Sequence, residues 1–153
     1  MNPPISDRNS QRLKSGYDRA CLEGMLPTAK LEFDRAFVTL IEDLEQRGML
    51  EHTLVVVTGE MGRTPQINNL GGRDHWGRAW SVAMAGCGIR KGVVFGKTND
   101  TGTEVKEDEV SIGDLFHTYL KALRLNPNAS YQLGGQTNPV ADPSGKAIKA
   151  VLA

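Results

Sequence analysis

"TLVVVTGE", Thr53 to Glu60, decides how the rest of the chain is read. Its first six residues are apolar or β-branched, with no polar residue on alternate positions. That pattern predicts a strand covered on both faces. A helix precedes it. Phe33, Ala36, Phe37, Leu40, Ile41 and Leu44 recur at helical spacing, while Asp34, Glu42, Asp43 and Glu45 take the other face. Pro27 suits a first helical turn, and Gly48 follows the last periodic turn as a stop. A helix followed by a doubly covered strand predicts an α/β fold, with parallel strands and helices layered on the sheet.

Working outward, "WSVAMAG" (Trp80–Gly86) and "GVVFGKT" (Gly92–Thr98) are two further strand candidates. "NDTGTEVKEDE" is a polar turn region with a candidate edge. "SIGDLFHTYLKALRL" is a helix. Ser111 and Asp114 form its capping box, with Asp in the place of Glu. Its expected buried stripe is Ile112, Leu115, Phe116, Tyr119, Leu120 and Leu123, which leaves His117 off the stripe and exposed. Beyond Asn126-Pro127 the chain turns glycine- and proline-rich and reads as a peripheral closing segment. Residues 1–24 show no periodicity and read as a flexible N-terminal segment, with one domain over residues 25–153.

Bulk composition narrows the function classes. Lys+Arg and Asp+Glu both number 18 in 153 residues, so no global field draws the chain to nucleic acid or to a membrane surface. The N-terminal "MNPPISDRNSQRLKSGYD" has no apolar stretch of the signal-peptide kind, and no apolar run is long enough to span a bilayer. Cys21 and Cys87 lack metal spacing, and Cys87 reads as a small buried hydrophobe. His52, just past a helix stop, reads as a surface residue.

Function, if local, belongs to the charged residues just after the strand. In open α/β sheets ligands collect at the carboxyl ends of strands, where Gly59-Glu60 falls. A carboxylate there needs a cationic partner or a metal. Arg63, Arg73 and Arg78 are candidate partners, and "GGRDHW" adds Asp74 and His75. Carboxylate with imidazole is the mixed donor set that suits zinc, manganese or iron. The arginine fork suits phosphate or sulfate oxygens. The competing reading is a salt-bridged loop: Glu60 paired to Arg63 or Arg73, Asp74 capping a turn, and His75 packed on Trp76.

Three segments carry a family resemblance: "LIEDLEQRGMLEHTLVVVTGEMGRTPQIN", "GGRDHWGRAWSVAMAGCGIRKGVVFGKTNDTG" and "VSIGDLFHTYLKAL". Over roughly residues 25 to 150 the chain resembles the C-terminal part of an uncharacterised, sulfatase-like bacterial family of the alkaline phosphatase superfamily, whose members are often exported. The resemblance implies a large mixed sheet sandwiched by helices. It implies hydrolysis of a sulfate or phosphate ester with a divalent metal, zinc, manganese or calcium. Glu60 and His75 would be metal ligands, and Asp74 a ligand or an orienter of one. Arg63 and Arg73 would hold the anionic substrate or support the loop. Glu60 departs from the superfamily's usual Asp-His pair. The superfamily's first metal-binding aspartate and its nucleophile have no counterpart here, and "GYDRACLEG" offers Gly16-Tyr17-Asp18 without the expected histidine. The resemblance therefore implies a C-terminal portion carrying half of a site, inactive alone or nearly so and able to self-associate. The rival expectation is a non-catalytic binding domain that keeps the fold.

Overall fold

The computed structural model describes residues 25–153, with side chains from residue 32 onward. The expected flexible segment 1–24 and Cys21 lie outside the described residues. Helix α1, Met25–Gln46, ends as its sequence predicts. Gly48 takes φ +67, its N–H bonds the Glu45 carbonyl, and the Met49 N–H reaches back to the Leu44 carbonyl. This is a Schellman stop, which needs a residue comfortable in the left-handed region. It turns Leu50 inward, where Leu44 and Leu50 are both buried.

Strand β1 (Val55–Thr58) pairs with β4 (Val82–Ala85), from Val55↔Ala85 to Thr58↔Val82. The pairing is antiparallel, where a doubly covered strand predicts parallel neighbours. Among the described residues the ladders form four two-stranded sheets, and each is antiparallel. The valines of β1 are accordingly only half-buried. The β-branched run specifies a strand but not what covers it, because burial is set by the partners available. The result is a mixture of helices and small sheets, α/β in the broad sense.

A second ribbon is nested inside the first. Strand β2 (Gly62–Arg63) pairs with β3 (His75–Trp76), Gly62 opposite Trp76 and Arg63 opposite His75. Between the outer and inner pairs lie residues 59–61 on one side and 77–81 on the other. Three residues against five force the longer side to bulge, and it folds over Gly62. A Cβ on Gly62 would sit inside the carbonyl oxygen of Ala79 and 3.0 Å from that of Trp76.

Downstream, β5 (Lys97–Thr98) pairs with β6 (Val105–Glu107) around a turn built on Asn99. The expected strand Gly92–Thr98 survives only at its last two residues, and Val94 stands 91% exposed. Helix α2, Ile112–Ala122, carries the full capping box of Ser111 and Asp114. Its inward face differs from the expected one. Ile112, Phe116 and Leu123 are exposed, while His117, Thr118 and Ala122 are buried. His117 is therefore not a surface residue. Its Nε2 lies 2.8 Å from the Asp142 carbonyl, to which it donates.

The reason lies in the C-terminal segment. A hairpin of β7 (Ser130–Leu133) and β8 (Gln136–Pro139) turns at Gly134-Gly135, both at positive φ. The chain then crosses α2 as a strap. Asp114 accepts from the Lys146 N–H at 2.7 Å, and the Thr118 hydroxyl accepts from the Ile148 N–H at 3.0 Å. Gly113 and Gly145 meet closely enough that a Cβ on Gly145 would lie 2.7 Å from the Gly113 carbonyl. Leu152 bridges Ile89, and Val151 is buried beside this tie. Cys87 is buried as expected, its thiol 3.2 Å from the Ala122 carbonyl.

This strap makes stability fall in acid. The Lys146 N–H, then the Ser111 hydroxyl and N–H, hold the Asp114 carboxyl below its usual value. A lowered folded pKa gives stability that is complete above the ordinary carboxylate range and is lost as pH falls through the folded value. Melting temperature should therefore drop below about pH 4. Asp114→Asn should melt lower at neutral pH and show a shallower acid dependence. Identical acid slopes in the two proteins would exclude Asp114 as the titrating group.

Candidate functional site

The charged stretch forms one braced ribbon. Its loop, residues 64–74, is closed by the Thr64 N–H to the Asp74 carbonyl, 3.0 Å, and the Asn68 N–H to the Gly72 carbonyl, 2.8 Å. Two neutral side chains organise it. The Thr64 hydroxyl donates to the Gln66 carbonyl and accepts from the Asp74 N–H. Asn68 Oδ1 accepts from the N–H groups of Leu70 and Gly72, and its Nδ2 donates to Asp74 Oδ1 at 2.8 Å. This is the asparagine turn chemistry that "NNLGG" encodes, and it could have been read from the sequence.

The expected site residues divide between bracing and display. Arg73 is a strut: its Nη1 donates to the carbonyls of Thr64 and Pro65 at 2.7 and 2.6 Å. These two bonds are loop support, one of the two roles expected of it. Asp74 is exposed, with one carboxylate oxygen taken by Asn68. Arg63 and His75 are directly opposite in register and both exposed. Glu60 is exposed in the joint between the ribbons, immediately after β1. The salt-bridged loop is not what forms. Among the described residues the ion pairs are Asp43–Arg47, Glu45–Lys91 and Glu107–Lys97, all on the surface elsewhere.

The other face of the ribbon packs inward. Trp76 is half-buried and donates from Nε1 to the Thr103 carbonyl at 2.7 Å. The Arg78 guanidinium lies 5.9 Å over its ring, within range of a cation–π contact. Trp76 and Gly62 thus fix which side the ribbon presents to solvent. His52 is exposed, as its sequence position suggests. No three histidine, cysteine, aspartate or glutamate side chains come together among the described residues as a metal-holding group.

A family model matches residues 18–152, described as a protein of unknown function (DUF1501). The chain belongs to this family. The match takes in the whole ribbon, both helices and all but the last residue of the strap. Membership brings no activity with it, so function must be argued from the ribbon. Comparison with the curated proteins and with solved structures finds no match. No helix among the described residues is long and apolar enough to cross a membrane.

Proposed function

We propose that this chain is the C-terminal portion of a sulfate- or phosphate-ester hydrolase-like protein of the alkaline phosphatase kind, inactive or nearly so alone. The observation that carries the reading is the ribbon itself. It follows β1 and carries Arg63, Asp74 and His75 on one short, hydrogen-bonded unit, with Glu60 in the joint that leads into it. An arginine fork beside an imidazole suits an ester whose transferring group is an oxyanion. Arg63 is the residue to contact that group, with Arg73 holding the loop beneath it.

The metal part of the reading rests on the family resemblance. Glu60, Asp74 and His75 form no closed donor set among the described residues, so a zinc, manganese or calcium ion would need ligands beyond those three. When bound, such an ion would polarise the ester oxygen. The second reading, a non-catalytic interaction domain, is favoured by the apolar residues the helices leave exposed, Phe33 and Phe116 among them.

The test is direct. With zinc, manganese or calcium added, the chain should turn over aryl phosphates and aryl sulfates weakly or not at all. It should take up metal in equilibrium dialysis, and Glu60→Ala and His75→Ala should reduce that uptake. Uptake that neither substitution alters would remove these residues from any metal site. Strong turnover abolished by Glu60→Ala would mean that a working site is complete here.

A further inference from the structure

We infer that the open edge of β1 pairs with β1 of a second copy of this chain, antiparallel about a two-fold axis, to make a four-stranded sheet in the order β4–β1–β1–β4. Strand β1 has one ladder, to β4, and among the described residues no third strand joins it. Every second residue of an antiparallel strand turns its N–H and C=O away from the partner. Those groups of β1 are held in line by the ladder on its other side, and they form a template for another strand.

Sequence and backbone together select this edge and its occupant. Edge strands are normally guarded by charge, proline or a bulge. Arg63 and His75 lie on β2 and β3, Lys97 on β5, Lys106 and Glu107 on β6, and β8 ends on Pro139. Strand β7 with its partner β8 is mostly polar and exposed nearly throughout, so it has little apolar surface to gain. Strand β4 is uncharged, but it runs into Gly86, Cys87 and Gly88, three consecutive residues at positive φ that bend the chain out of the strand path. Strand β1, Val55–Thr58, carries no charge, proline or positive-φ residue.

It is also its own complement. Turned about a two-fold axis, each Val56 falls opposite the other copy's Val57, and each Val55 opposite the other copy's Thr58. Every cross-strand pair is then β-branched, and no like charges meet. The three valines are only half-buried against β4, so a further strand gives them the cover their sequence calls for. A two-stranded ribbon is marginal alone, whereas three or more strands sustain a sheet. The paired sheet has β4 on both outer edges, where the positive-φ bend stops further growth. The assembly therefore closes as a two-fold dimer and does not run on as a fibre. Its contact is short, which places it among weak associations.

Sedimentation equilibrium of the full chain, with amide hydrogen exchange over a dilution series, tests this. A dimer is expected, and alternate amides of residues 55–58 should slow as concentration rises. Thr58 is exposed, so replacing it spares the fold. Thr58→Lys should weaken dimerisation roughly tenfold, because two cross-strand pairs are lost at once and a charge is set at the edge. Thr58→Val should keep the dimer or tighten it. Thr98→Lys, the same change on β5, should leave it unaltered. All three variants should keep the parent's melting temperature at dilutions where the parent is monomeric. A chain monomeric at its highest soluble concentration would overturn the β1 pairing. So would self-association that Thr58→Lys spares and that Phe33→Glu with Phe116→Glu abolishes, since the contact would then run through the helices. Slow exchange at alternate β1 amides in a monomer would overturn it too, because the chain itself would be covering the edge.

Discussion

Replacing Gly86 with alanine is expected to destabilise the chain by about 2–5 kcal/mol, the left-handed backbone cost plus overpacking. Gly86 holds φ +80 at the end of β4. A Cβ there would run into the Thr53 carbonyl oxygen, and would lie 2.7 Å from the Leu50 carbonyl and 2.8 Å from Leu50 Cδ1. The backbone cannot step aside, because the neighbouring Cys87 N–H bonds that same Leu50 carbonyl at 2.8 Å. Leu50 and Cys87 are two of the few buried apolar residues, so the clash falls on the core. A domain's whole stability is about 5–15 kcal/mol, so the variant should lose much of its folded population on warming. Gly48→Ala is the control. It has φ +67 but nothing within 4 Å of a Cβ, so it should cost only the backbone part, about 1–2 kcal/mol. Equal unfolding free energies for the two variants in denaturant would show that the close approach at Gly86 is not made.

Local signals in the sequence translate well into this fold, and burial signals do not. Gly48, Ser111 and Asp114 act through a few bonds to near neighbours, and each forms what its motif predicts. The strand at Val55–Thr58 also forms. Its parallel pairing does not, because an apolar run reports a preference for cover and cannot say which chain segment provides it. The same limit misplaces His117. Helical spacing puts it off the apolar stripe, but its partner is a backbone carbonyl 25 residues away. No periodicity carries that information. The β7–β8 hairpin lies in what reads only as a glycine- and proline-rich closing segment, although "LGGQ" carries a two-residue turn signal and both glycines take the positive φ it requires.

The charged ribbon after β1 was legible as a place, and the structural parts its residues play were less so. Charge after a strand marks Glu60, Arg63, Arg73, Asp74 and His75 from residue type alone. Which of them brace the loop depends on hydrogen bonds the sequence does not print. Arg73 is spent on two carbonyls and Asp74 partly on Asn68. Thr64 and Asn68, small and uncharged, draw no notice in a search for catalytic chemistry. They nevertheless decide where the charged residues stand.

Phe116→Glu is expected to leave stability nearly unchanged and to lower the binding of a hydrophobic dye. A stripe reading of α2 makes Phe116 a core residue, and truncating a buried phenylalanine costs about 3–5 kcal/mol. The structure leaves it 54% exposed, with Ile112 at 58% on the same helix. Its aromatic contact is with Tyr119, ring centroids 5.8 Å apart. Losing that contact should cost about 1 kcal/mol or less. Burying a glutamate would be far worse than truncation, so the two outcomes are well separated. Helix α1 repeats the pattern: Phe33 stacks on Phe37 at 5.8 Å and remains 51% exposed, and Val38 and Leu40 of the same helix are exposed too. Apolar residues this numerous on a surface favour self-association. Sedimentation of the parent should therefore show concentration-dependent species, and Phe33→Glu with Phe116→Glu should shift them toward monomer. A monomeric parent that binds no dye, or a Phe116→Glu chain that fails to fold, would mean that α2 is packed against something and that its apolar stripe is core after all.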